Sequence, residues 1–216
     1  MRWLVAVLLL FGALAAPVGA LAQSEDDRGF LTRLLEQNLS GAGREVTIEG
    51  FAGALSSRAT FRRLSIADGD GVWLVIEEGA ISWTRSALLA GRIDIAEMSA
   101  ARIEVRRRPA AEGRTLEAPT FALPELPVSV DIRNLRADEL RLGEPVLGQA
   151  LTARIEGEVS LASGAGSARL DLSRTDGGLG ELAFTGSFSN ATGEGTVDLL
   201  AREGPGGVAA GMLGLP

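Results

Sequence analysis

From Arg44 onward, apolar and polar side chains exchange places at nearly every step, the period of an extended strand with one buried face. Val46 and Ile48 alternate with Glu45, Thr47 and Glu49, and Leu64 and Ile66 alternate with Arg63 and Ser65. Asp68-Gly69-Asp70-Gly71 supplies a turn. Val72-Trp73-Leu74-Val75-Ile76, apolar on both sides, is predicted to be the most buried strand of this region. Ile81 and Trp83, Ile93 and Ile95, and Ile103 and Val105 continue the alternation around one short helical turn over residues 86–90. Further on, Val128, Val130 and Ile132 oppose Ser129, Asp131 and Arg133, and Leu140 and Leu142 flank Arg141. The least ambiguous strand sets Leu151, Ala153, Ile155, Gly157, Val159 and Leu161 against Thr152, Arg154, Glu156, Glu158 and Ser160. Ala168, Leu170 and Leu172, then Leu182, Phe184 and Phe188, then Val197 and Leu199, extend the series across turns rich in Gly, Ser and Asp. The pattern repeats, although no repeat of fixed period is visible in the sequence itself.

Ahead of the strands the period is different. Met1-Arg2, the uncharged run from Trp3 to Ala16, and Ala20-Leu21-Ala22 have the layout of a secretory signal over residues 1–22. Trp3 to Ala22 as a helix would span about 30 Å, so a retained membrane anchor is the alternative. Either way, Ser24 onward is expected outside the cytoplasm. In residues 23–43, Phe30, Leu31, Leu34, Leu35 and Leu39 follow an acidic start and stop at Gly41-Ala42-Gly43, which predicts one amphipathic helix. Residues 44–109 form a first β unit that closes at Arg106-Arg107-Arg108-Pro109. A proline-rich extended connector over 110–127 leads to a second β segment over 128–216. The apolar, uncharged end after Glu203 suggests that this second segment is cut short, so the chain is expected to be a fragment.

Composition removes much chemistry. There is no histidine or cysteine, so the usual zinc ligands, Ser-His-Asp and Cys-His arrangements, and disulfides are all excluded. All 21 basic residues are arginine, which also excludes a phosphate-loop lysine or a Schiff base. A net charge of -7 gives no reason to expect a nucleic-acid partner. Glu77-Glu78 and Asp26-Asp27 are sequence neighbours, and neighbours on a strand point to opposite faces, so neither is a convergent acid/base pair. Asp68-Gly69-Asp70-Gly71 lacks the third acidic position and closing glutamate of a calcium loop, and a hairpin turn is expected there. Asn38-Leu39-Ser40 and Asn190-Ala191-Thr192 fit the loose glycosylation acceptor pattern. An enzyme is not expected, and no metal or cofactor is implied.

About ten strands each present an apolar face, and one helix with one helical turn is too little to cover it. The sheet must curl on itself, pair with a second sheet, hold an apolar ligand, or continue into further strands.

Asp70-Gly71-Val72-Trp73-Leu74-Val75-Ile76 with Ile81-Ser82-Trp83, then Ala87-Leu88-Leu89-Ala90-Gly91-Arg92-Ile93-Asp94-Ile95, then Ala101-Arg102-Ile103-Glu104-Val105, together resemble the N-terminal part of the TamB (AsmA-like) family. Leu126-Pro127-Val128-Ser129-Val130 and Leu142-Gly143-Glu144-Pro145-Val146 resemble the stretch that follows. That family supplies the inner-membrane subunit of the translocation and assembly module. The resemblance implies an inner-membrane anchor, a long periplasmic β-structure and a partner in the outer-membrane barrel-assembly superfamily. It also implies an apolar groove that passes phospholipid toward the outer membrane, and a part in outer-membrane protein assembly and secretion. The Ala-Leu-Ala site departs from an anchored family. The short length, without the family's C-terminal domain, puts barrel engagement and full lipid transit beyond this chain alone.

The expected fold is therefore mainly β: a signal or anchor helix, an amphipathic helix, then an open, curled, antiparallel β-sheet groove of the β-taco kind. Leu151, Ile155, Val159, Leu170, Leu172, Phe184 and Val197 are expected to line it, although ordinary core packing needs the same alternation. Arg106, Arg107 and Arg108 are candidates for contact with anionic headgroups, against a solvated strand end. The rival architecture is a closed β-sandwich acting as a binding or adhesion module, with a dry core and no lipid.

Overall fold

The computed structural model describes residues 40, 44–53, 57–88, 90–110, 122–123, 128–204 and 207. The expected helices over 1–22 and 23–43 and the apolar end after Gly207 lie outside these residues, save for Ser40, whose Oγ accepts the Val46 N–H at 2.9 Å.

Nine strands follow one another in chain order across a single open sheet. They are β1 (Glu45–Glu49), β2 (Arg58–Asp68), β3 (Gly71–Trp83), β4 (Arg92–Val105), β5 (Ser129–Leu142), β6 (Leu151–Ala162), β7 (Ala165–Arg174), β8 (Gly180–Ser189) and β9 (Glu194–Glu203). Two single-turn helices interrupt them, α1 (Arg85–Leu88) and α2 (Glu144–Leu147). All nine strands share one sheet, so the described residues do not form the two-sheet sandwich. Strands from both sides of the connector meet in it through β4 and β5.

The sheet is mixed rather than antiparallel throughout, because β4 and β5 run parallel. A hairpin cannot join parallel neighbours; the chain must first return along the length of the strand it has just left. Residues 106–128 link the two strands in the sequence. The two strands also share a spacing that the sequence reading broke into shorter pieces. Ile93, Ile95, Met98, Ala100, Ile103 and Val105 lie in register with Val130, Ile132, Leu135, Ala137, Leu140 and Leu142. Both sets step by two and then by three, and in β5 the steps of three coincide with register shifts against β6. A bulge of this kind returns the next apolar residue to the face it would otherwise leave.

The core sits on the β1–β5 side. Leu64, Ile66, Leu74, Ile76, Met98 and Val146 are almost fully buried, and no polar or charged residue is buried among those described. In β3, Trp73, Leu74, Val75 and Ile76 are all buried, as their two-sided apolar character predicts, whereas Val72, expected to be buried with them, is 36% exposed at the turn. Gly79 is required where it stands, because the Phe61 ring lies flat on it: a Cβ there would be 2.0 Å from Phe61 Cζ. In α2, Pro145 sits in the first turn and Gly148 closes the helix in the left-handed conformation, donating its N–H to the Glu144 carbonyl. That turn buries Val146 against the sheet.

Candidate functional site

The strands β6 to β9 carry one apolar face that the core covers only in part. Strand registers fix which side chains share it. Ile155 of β6 stands opposite Leu172 of β7, which stands opposite Leu182 of β8, which stands opposite Ala201 of β9. The next row is Gly157, Leu170, Phe184 and Leu199, and the one after it is Val159, Ala168, Gly186 and Val197. Because directly opposed residues point to the same side, all seven residues expected to line a groove occupy one face, Leu151 joining it opposite Leu142. Ile155, Val159, Leu170 and Leu172 pack against the core cluster. Leu151 and Phe184 are half-buried, whereas Val197 is 60% exposed.

Exposure therefore rises across the sheet. The facing residues of β5 are mostly buried, those of β6 to β8 mostly half-buried, and every residue of β9 is exposed. The same face includes Leu182 and Leu199, which are not among the seven expected lining residues although they carry the same alternation. Large and small residues interleave on it. The Phe184 ring lies over Gly186, where a Cβ would be 2.6 Å from Cζ, and Phe188 lies over Gly195 of the neighbouring strand. The aromatic rings are laid down on glycines, which keeps this part of the face low.

The opposite face is mostly polar and cross-linked by charge, although Val75, buried, and Leu200, 55% exposed, also lie on it. Glu77 accepts from Arg63 at 3.4 Å and from Arg102 at 3.0 Å, and Arg102 donates to Glu139 at 3.2 Å, a ladder that crosses β2 to β5. Arg141 completes it on Glu139, and its guanidinium is the chief reason the Glu139 carboxyl titrates below the usual range. Further along, Ser160 pairs with Ser167 at 2.9 Å and Ser187 with Thr196 at 2.7 Å.

The three candidate headgroup arginines have partners within the chain. Arg106 reaches Glu104 at 3.1 Å, and Arg108 donates twice to the Val146 carbonyl, at 2.7 and 3.1 Å. Arg107 donates to both oxygens of Asp68, at 2.5 and 3.0 Å, and to the Gly71 carbonyl. Asp68 also accepts the N–H of Ala110 and of Asp70, and this set, led by Arg107, holds its carboxyl far below the usual range. The turn Asp68–Gly71 thus closes the β2–β3 hairpin and also ties down the start of the connector. At Leu123 the connector is tied again: Asn190 accepts its N–H at 2.8 Å and donates to its carbonyl at 2.7 Å. Neither tie shows in a sequence pattern, since Asp68 and Ala110, like Leu123 and Asn190, lie far apart along the chain.

No family, no curated protein and no solved structure matches this chain. What can be said of function rests on the face itself.

Proposed function

We propose that this chain is a non-catalytic component of the cell envelope that shelters phospholipid acyl chains on the apolar face of β6 to β9. The observation that carries this reading is the rise in exposure across one continuous apolar face, from a buried β5 to Leu199 at 60% exposed on β9. A soluble sheet normally shows water a polar face, and here the polar face is the other one. Leu151, Ile155, Val159, Leu170, Leu172, Phe184 and Val197 supply the contact, and the sheet curls around the acyl chains as an open groove. Covering apolar surface is favourable by about 25 cal/mol per Å², so a groove of this kind holds its lipid through purification.

The resemblance to TamB supplies the setting for this proposal. In that setting the chain works in the periplasm at the inner membrane, with a partner of the outer-membrane barrel-assembly superfamily, in outer-membrane protein assembly, secretion and phospholipid transport. Arg106 to Arg108 stand at one end of the sheet, where headgroups could meet them in exchange for their present partners.

Native mass spectrometry of the chain purified from an envelope fraction, with lipid extraction of the same sample, tests the proposal. Near-stoichiometric phospholipid is expected. A lipid-free, monodisperse protein would remove the reason to assign lipid to this face.

A further inference from the structure

β9 is the last strand of the sheet among the described residues, and its outer edge meets no other strand there. All ten of its residues are exposed. An edge of this length is usually blunted by a proline, a bulge or charged side chains; Glu194–Glu203 contains no proline and pairs with β8 without a register shift, and its charges, Glu194, Asp198, Arg202 and Glu203, are of both signs, so a second copy can match them. We propose that this edge is self-complementary and that two copies of the chain pair through it, antiparallel, about a twofold axis at Asp198.

The registers of β8 and β9 place Glu194, Thr196, Asp198, Leu200 and Arg202 on the polar face and Val197 and Leu199 on the apolar face. Antiparallel pairing centred on Asp198 sets Glu194 against Arg202 of the second copy, and Arg202 against its Glu194. Opposite charges at directly opposed positions stabilise a strand pair. On the other face the same register sets Val197 against Leu199 twice, so the apolar faces of the two sheets join without a step. One cost remains, Asp198 facing its own copy. Centring one residue further along, at Leu199, loses both ion pairs. Head-to-tail pairing with β1 is disfavoured: β1 is only five residues long, and its polar side chains Glu45 and Glu49 would meet the acidic side chains of β9. A twofold pairing closes after two copies, whereas a head-to-tail pairing would not close.

This inference stands on the strand edge and does not need lipid on the face. The chain contains no cysteine, so single cysteines report the register directly. Under mild oxidation in detergent, the full chain carrying Asp198→Cys is expected to form a disulfide with its own copy, because the two positions face each other within disulfide reach. Thr196→Cys alone places the two thiols about 13 Å apart and gives little product, but mixed with Leu200→Cys it cross-links. In sedimentation experiments Glu194→Arg and Arg202→Glu each weaken the dimer, and the double exchange restores it. A chain that stays monomeric, with no Asp198→Cys dimer, overturns the proposal. So does cross-linking of Thr196→Cys alone as fast as Asp198→Cys.

Discussion

At the scale of single residues, the same alternation produces two kinds of apolar side chain, and substitution separates them. Leu74 is fully buried, and Leu74→Ala is expected to cost about 2–5 kcal/mol in denaturant unfolding, for lost contact and the cavity left behind. Val197 is 60% exposed, and Val197→Ser should change stability by no more than about 0.5 kcal/mol. Equal losses at the two positions would show that β9 is as well covered as β3. Gly79→Ala must displace the Phe61 ring, so a loss of about 1–3 kcal/mol is expected despite the added methyl group. Titration adds another single-residue test. Arg174 above all, then the N–H groups of Thr152 and Gly178, hold the Asp176 carboxyl at about 2, below its ordinary 3.8. A carboxyl depressed in the folded state contributes stability that is complete above the unfolded value and lost as pH falls through the folded one. Asp176→Asn should therefore flatten the fall in melting temperature between about pH 4 and pH 2 while lowering the melting temperature at neutral pH.

At the scale of elements, β6 was plain in the sequence because nothing interrupts its alternation from Leu151 to Leu161. β3 was plain because it is apolar on both sides. β4 and β5 read as broken pieces, since each bulge adds a residue and shifts the period by one. The pattern of a strand also carries no record of its neighbour. That β4 and β5 pair in parallel is a matter of which strands meet, and no local spacing expresses it. The seven face residues were legible for the same reason as the strands, whereas the gradient of cover across them depends on which strands the core reaches. Hydrogen exchange makes that gradient measurable: amides of β3 and β4 should exchange more slowly than those of β7 and β8. Equal protection of these strands would place a second layer over β7 and β8.

At the scale of the whole molecule, one sheet has a charged side knitted by arginine and carboxylate and an apolar side only partly occupied by its own core. The half near the connector is a conventional interior. The half from β6 to β9 offers more apolar surface than the described residues cover, and the proposed lipid binding depends on that excess. The most direct measurement places a photo-crosslinking benzoylphenylalanine at Leu170 or Val197 on the apolar face, and at Arg169 or Asp198 on the polar face, in the envelope where the protein is made. Phospholipid adducts at Leu170 and Val197, with little at Arg169 and Asp198, are the expected result. Adducts absent from the apolar positions, or equal on both faces, would contradict the account.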